Sequence, residues 1–466
     1  MSNKSSLLIP YALLETIREN ISEFNHCSTE EQAAVAALVW ISSNDERSHK
    51  KYEDHFSVHH TEIITLFGKN FDAINKKLGF IKVVNHWKYD LQGESEDENY
   101  TKAYQLTAKY QNSIEIFLRQ TPKPTSFIDA SLRRRIKSPN AIQSKDANGV
   151  TTKIWGNIAK SQLLAMPPIN TKEIEQLIKD CKSEIKLTNI SDDLKRSHLT
   201  RIVNYAQRLL WLSFFDSKQP DRVPHTYVEA VSGRLYAQGG INLQNAPKII
   251  RKAAHSGFYD YDIHNCHFEI LAQLGSFIGL QLSETNEYLN SKNKIREQIS
   301  SETNSRPKYI KKAILSLLYG AHLSAGYKNS LTLLLGIESA QKFIKHPKIT
   351  ALTSEINHAR KQIVLNASKN RQGGLKNILE KTFLEKNADT SKKFAHLLQG
   401  IEAAALRACL KRSPSAILLQ HDGFSSITKL DPKQLEQSIY DETKLTLHLE
   451  ESKIQYSKSD LISLIY

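Results

Sequence analysis

The stretch FYDYDIHNCHFEILAQL (258–274) places two aspartates, Asp260 and Asp262, among aromatic and β-branched residues. That pattern predicts a buried strand, followed by a polar turn and an apolar run with helical spacing. A carboxylate at the mouth of a strand is costly to bury alone and becomes tolerable beside a positive partner. Asp262 is taken as the stronger candidate, with Asp260 assigned to the other face of the strand. A second carboxylate lies in SAILLQHDGFSSI (415–427), which reads as a β-hairpin with His421, Asp422 and Gly423 at its tip. An aspartate there is commonly only a turn residue. Between the two, KKAILSLLYGA (311–321) spaces Lys311, Leu315 and Tyr319 four apart, along one helical face. A cation and a ring two turns apart suit a triphosphate and a base. An amphipathic helix ended by Gly320 is the plainer reading of that segment alone. Upstream, SGRLYAQGGINLQNAP (232–247) joins Arg234 to the amides of Asn242, Gln244 and Asn245, around a turn at Gly239–Gly240. A basic fork followed by amides suits sugar and phosphate edges, although a structural turn explains it as well.

The order of these segments says more than each alone. A carboxylate at a strand end, a Lys–Tyr helix and a carboxylate on a hairpin are what nucleotidyl transfer by two metal ions requires. Two Asp side chains would hold two divalent ions about 3.5–4 Å apart. One ion would activate an attacking 3′-hydroxyl, and the other would neutralise a triphosphate and the leaving pyrophosphate. Mg2+ suits hard carboxylate oxygens, with Mn2+ as a substitute. The ions are the positive partners that Asp262 calls for.

The rest of the chain must position these groups. Its 466 residues allow two to three domains. A formal charge of +14 and a pI near 9.3 favour a polyanionic partner, against the alternative of a solubilising surface. Cys27, Cys181, Cys266 and Cys409 are far apart and show neither CxxC nor zinc spacing, so a reducing cytosol is expected, bacterial or phage-infected. The N-terminal apolar run is too short for a signal peptide, and no segment approaches the roughly 20 apolar residues of a membrane span. Residues 1–125 read as an α+β region: helices at 11–21 and 30–42, the second opened by a Ser28/Glu31 capping box, further helix within 61–80, and strands at 80–87 and 99–107. That order is also the order of a winged helix. Residues 126–165 form a connector, and within its stretch 131–160 Arg133, Arg134, Arg135, Lys137, Lys145, Lys153 and Lys160 oppose only Asp146. Such a run is a solvated face or a track for a phosphate backbone. Residues 166–220 are helical, and 221–466 alternate short strands and helices.

Across 221–466 the sequence resembles the family A DNA polymerases. SGRLYAQGGINLQNAP is similar to their TGR…NLQN segment, DIHNCHFEILAQL to motif A, KKAILSLLYG to motif B, and LLQHDGFSS to motif C. LLQGIEAAALRACL (397–410) resembles the family's Gln-containing helix. Phage-type single-subunit RNA polymerases share motifs A, B and C. The resemblance implies an α/β (α+β) right-hand core with an antiparallel palm sheet and helical fingers, with 166–220 as a reduced thumb. It implies Asp262 and Asp422 as metal ligands, with the Ile263 carbonyl as a third. Lys311, with Lys312 beside it, would meet triphosphate, and Tyr319 the incoming sugar. Arg234 and Gln399 would touch the primer–template minor groove, with Gln244, Asn242 and Asn245 nearby, and His421 would lie near the primer end.

Three positions depart from the family pattern. The Arg expected four residues before Lys311 is Pro307, flanked by Arg306 and Lys308. The motif A Glu that excludes a ribose 2′-hydroxyl is His267, and the residue after the HD pair is Gly423. Expected partners are a DNA primer–template or single-stranded template, dNTPs or rNTPs, and a small accessory protein or helicase. No exonuclease carboxylate set is evident. A phage, plasmid or other mobile element is the expected source. The rivals are a primase or RNA polymerase that starts chains from rNTPs, and a catalytically inactive nucleic-acid-binding replication factor.

Overall fold

β1 (Leu8–Pro10) leads directly into α1 (Tyr11–Asn20), which buries Leu13, Leu14 and Ile17. The computed structural model describes residues 8–42, 56–59, 63, 66–88, 100–120, 127–129, 134–135, 142–143, 155, 165–188, 193–214, 220–225, 227–237, 241–327, 329–384 and 388–465. α2 (Thr29–Ser42) opens on the expected capping box. The Ser28 N–H donates to Glu31 Oε2 at 2.8 Å, and the Glu31 N–H donates to Ser28 Oγ at 3.2 Å. Its run from Ala33 to Trp40 is buried at every position, as expected of a helix that is apolar all round.

β2 (Phe56–His59), α3 (Phe71–Leu78), β3 (Ile81–Lys88), β4 (Tyr100–Leu106) and α4 (Ala108–Gln120) complete this first unit. The three strands form an antiparallel sheet in the order β2-β4-β3. The turn LQGESEDE lies outside the described residues. β5 (Phe127–Asp129) pairs with β1 and with β6 (Arg134–Arg135). β7 (Ile142–Gln143) is the other described strand of the connector, whereas Arg133, Lys137, Lys145, Lys153 and Lys160 lie outside the described residues.

α5 (Thr171–Leu187) starts where the Asn170 side chain accepts from the Glu173 N–H at 3.2 Å. It packs on α6 (Asp193–Leu212), and α6 reaches two cores. Leu199, Ile202 and Leu209 join the large core, which runs from Trp155 to Leu461. Trp211 instead enters the smaller N-terminal core, with its ring centroid 6.0 Å from Trp40 and 5.5 Å from Phe117. The buried Arg208 guanidinium lies 5.1 Å over the Trp40 ring.

The remainder follows as β8 (Tyr227–Glu229), β9 (Leu235–Ala237), α7 (Lys248–Ala254), β10 (Tyr259–Ile263), α8 (Cys266–Phe277), α9 (Ser283–Thr303), α10 (Pro307–Leu318), α11 (Ser330–Leu335), α12 (Ile337–Lys345), α13 (Pro347–Asn366), β11 (Leu375–Lys376), β12 (Thr382–Phe383), α14 (Thr390–Arg412), β13 (Ala416–Leu419), β14 (Gly423–Ser426), α15 (Pro432–Thr443), β15 (Leu449–Lys453) and α16 (Lys458–Ile465). The architecture is mixed α and β, with small sheets set among helices. β7 joins β8 in parallel, and β8 pairs antiparallel with β9. An antiparallel sheet in the order β13-β14-β10-β15 carries the motif residues. α14 buries most of its length and is the spine against which α8, α13 and α15 pack.

Two histidines in this core make folding sensitive to acid. His225 is fully enclosed, and its Nε2 accepts from the Leu243 N–H at 3.1 Å, which requires that nitrogen to be unprotonated. Burial pushes its pKa down to about 4. Burial, with His225 and Arg251 adding repulsion, pushes His255 down to about 3. Between the unfolded histidine pKa near 6.5 and these values, the unfolded chain binds protons that the folded chain refuses. Stability is therefore complete above about pH 6.5 and falls below it, by up to about 1.4 kcal/mol per pH unit for each histidine. Urea unfolding at pH 7.5 and pH 5 should show a lower midpoint in acid, and His225→Asn should reduce that difference.

Candidate active site

β10 and the β13–β14 hairpin bring the two motif carboxylates to one end of the sheet. Asp262 stands opposite Gly423 on β14 and opposite Glu450 on β15. Asp422 precedes Gly423 in the turn, and its side chain lies within hydrogen-bonding reach of Asp262. Main-chain bonds lock this arrangement: the Ile263 N–H donates to the Asp422 carbonyl and the Gln420 N–H to the Gly423 carbonyl, each at 2.8 Å. Gly423 is required by this approach. A Cβ built there would sit 2.3 Å from the Tyr261 carbonyl oxygen and 3.1 Å from an Asp262 carboxylate oxygen.

Asp262 is exposed to solvent at the end of its strand, but protein and three other acids crowd its carboxylate. Burial, then Asp422, Asp260 and Glu450, push its pKa well above the usual carboxylate range. Two carboxylates at this separation either share a proton or share a cation. Hard oxygen donors gathered at a strand end fit a divalent ion such as Mg2+.

Asp260 lies on the same face as Asp262, contrary to the assignment above, because residues two apart on a strand share a face. Its hydrogen bonds distinguish it instead. Asp260 Oδ1 accepts from Gln420 Nε2 at 2.7 Å and from Ser425 Oγ at 3.3 Å, so this carboxylate is tied into the sheet.

A second cluster flanks the pair. α8 begins just past Asp262 and carries His267, whose Nε2 lies 2.5 Å from Oε2 of the fully buried Glu402 on α14. The Arg234 guanidinium bonds the same carboxylate oxygen. Tyr319, the C-cap of α10, brings its hydroxyl to 3.0 Å from His267 Nε2 and 3.1 Å from Nδ1. Burial raises the Tyr319 pKa far above its usual range, so the ring stays protonated. Gly320 follows with φ +92°, and a Cβ there would meet Ser391 Oγ at 2.1 Å, so α10 must end at that point. Cys266, His267 and Glu402 place ligand atoms within 4.8 Å of one another, but Arg234 already neutralises Glu402, which opposes a metal at that spot.

The other expected residues divide into inward and outward groups. Gln244 is buried and commits its amide to main chain: Oε1 accepts from the Ala237 N–H, and Nε2 donates to the Leu235 and Leu419 carbonyls. Asn242 is buried and accepts from the Asn245 N–H at 2.8 Å. Gln244 thus holds β9 to the hairpin and Asn242 closes its own turn, whereas Asn245 is exposed. His421 packs 5.2 Å from the Tyr236 ring, and burial with the nearby Arg234 lowers its pKa, so it is neutral at physiological pH. Gln399 is half-buried on α14, three residues before Glu402, and Lys311 and Lys312 are exposed on α10. Sequence reasoning missed Glu402, Lys292, Glu450 and Arg251. Lys292 Nζ reaches 2.8 Å from His264 Nε2, and Arg251 interacts with both Asp260 and Asp422. Glu402 carried one signal, as a lone acid inside the alanine-rich run GIEAAAL.

No family model matches this sequence, and no curated protein does. Among solved structures, the chain is similar to the POL domain of Pol1 from M. smegmatis in complex with DNA primer-template and dNTP. The identity is 12%, the alignment covers 66% of this chain and 70% of that one, and the TM-score is 0.43.

The tight approach at the hairpin tip gives a direct test. Gly423→Ala should force the tip away from β10 and cost about 1–3 kcal/mol, typical of overpacking. Thermal unfolding should show the loss, and an unchanged midpoint would mean that the tip adjusts freely.

Proposed function

We propose that this protein is a template-directed nucleotidyltransferase that extends a nucleic-acid 3′ end, with 221–466 as a palm-and-fingers core of the family A type. The observation that carries the reading is the meeting of Asp262 and Asp422 at one end of an antiparallel sheet, flanked by the helix that bears Lys311 and Tyr319. On this reading Asp262, Asp422 and the Ile263 carbonyl hold divalent metal, which supplies activation of the 3′-hydroxyl and charge neutralisation at the phosphates. Lys311 and Lys312 meet the triphosphate. Tyr319 orients the incoming nucleotide, and His421 lies near the primer end. Gln399 and Arg234 meet the primer–template minor groove. The β2-β4-β3 sheet and its preceding helices support a winged helix that, with Arg134 and Arg135, grips template.

Asp262→Ala and Asp422→Ala should each abolish nucleotide addition while leaving template binding largely intact. The assay is primer extension with primed and unprimed templates, dNTPs or rNTPs, and Mg2+, alongside a gel-shift measurement. Substantial extension by either variant would refute the assignment, and synthesis on unprimed template would favour the primase alternative.

Selection between sugars depends on His267. Its ring nitrogens already face Glu402 and Tyr319, which supports a role as a steric wall over a role as donor to a ribose hydroxyl. An imidazole is a softer barrier than a carboxylate paired to exclude hydroxyl. Wild-type enzyme should use both dNTPs and rNTPs with a preference under about a hundredfold, worth under roughly 2.7 kcal/mol. In competition assays His267→Gly should increase rNTP use. A decrease would assign the ring a hydrogen-bonding role, and wild-type discrimination of several thousandfold would place the selecting group elsewhere.

A further inference from the structure

We propose that Lys292 on α9 is a second phosphate ligand for the incoming nucleoside triphosphate, acting with Lys311 of α10. The inference rests on the polymerase reading above. Helix α9 departs from helical geometry at Ser291 (φ −130°, ψ 25°), one residue before Lys292. Such a break redirects the turn that follows it. Arg296 braces the break: its Nε and Nη2 donate to Tyr288 Oη at 2.9 and 2.5 Å, and its guanidinium lies 5.3 Å over the Tyr288 ring.

The redirected amine arrives at the rim of the carboxylate site. Lys292 Nζ is 2.8 Å from His264 Nε2 and 3.9 Å from Glu450 Oε1. His264 is two residues past Asp262, and Glu450 is the β15 residue opposite Asp262. Arg296 and Lys311 both act on Lys292 as like charges and, after burial, lower its proton affinity, while Glu450 and Glu269 oppose that effect. Lys292 and Lys311 thus come from two neighbouring helices close enough for their charges to repel, with Arg296 one turn further along α9. A triphosphate relieves such repulsion, and an ammonium serves it as a point charge.

A structural role for the Lys292–Glu450 pair is the weaker account. At 3.9 Å, with the Glu450 side chain 60% exposed, it is a solvated pair of small worth. Phosphate would compete with this pair and with the 2.8 Å contact to His264 Nε2, the ring whose Nδ1 bonds Glu450. The residue four before Lys311 is Pro307, the first residue of α10, which offers no charge to a phosphate. Lys292 supplies a cation from the neighbouring helix in its place.

Two measurements test the site. In single-nucleotide incorporation on a primed template, Lys292→Ala should raise the nucleotide KM at least tenfold and weaken inhibition by pyrophosphate in parallel. Template binding and melting temperature should be unchanged, and Lys292→Arg should restore most of the affinity. In calorimetry, inorganic tripolyphosphate should bind wild-type protein at least fivefold more tightly than Lys292→Ala. Equal tripolyphosphate binding by the two, or a wild-type KM in Lys292→Ala, would overturn the proposal. Wild-type protein that extends no primer yet binds tripolyphosphate through Lys292 would refute the polymerase reading and retain the phosphate site.

Discussion

Everything at the centre of this molecule depends on holding two carboxylates against their own repulsion. Asp262 and Asp422 cannot both ionise comfortably at hydrogen-bonding distance, so the backbone has to enforce their approach. Pairing of β10 with β14 does this in the sheet's own register, and the Ile263 N–H bond to the Asp422 carbonyl closes the end. Gly423 is the cost of that closeness, since any Cβ would strike the Tyr261 carbonyl. The question raised by a carboxylate at a strand mouth thus has a structural answer. The acid is kept in place by main chain, and on the proposed reading its unfavourable charge is relieved by a bound cation.

The flanking cluster follows a different rule. Glu402 is wholly buried and ionisable, and it is tolerable only because Arg234 and His267 bond the same oxygen. Those two partners come from β9's leading turn and from α8, and Tyr319 joins from α10 through His267. One carboxylate on α14 therefore organises four segments far apart in sequence. Removing it would leave a guanidinium buried without a counter-charge, which is commonly worth several kcal/mol. The same carboxylate fixes the ring that bounds the proposed sugar site, so specificity and core stability share one group.

Local chemistry was legible in advance, and long-range chemistry was not. The Ser28/Glu31 capping box, the β13–β14 hairpin and the end of α10 at Gly320 appear where short-range signals placed them. Strand alternation applied correctly would also have put Asp260 beside Asp262. Its separate role could not have been read, because that role comes from Gln420 and Ser425, 160 and 165 residues away. Gln244 looked like a ligand-binding amide and proved to be a main-chain fastener, because an amide inside a turn satisfies buried backbone as readily as it meets a sugar. Lys292 was hidden in a long polar helix, where the break at Ser291 sets it apart from its neighbours.

The junction between the two cores bears on how the parts act together. α6 contributes Leu199, Ile202 and Leu209 to the large core and Trp211 to the N-terminal one, with Arg208 stacked on Trp40 between them. A rigid helix that belongs to two cores transmits position from one to the other, because neither core can shift along it without losing packed aromatic area. α5, packed on α6, is tied in turn to the last segment of the chain, where the Tyr456 hydroxyl donates to Asp180 at 2.8 Å. On the proposed reading this matters for catalysis. A nucleic acid gripped by the N-terminal unit would be held at a fixed distance from the Asp262–Asp422 pair, and extension by one nucleotide would then require the nucleic acid, not the protein, to move.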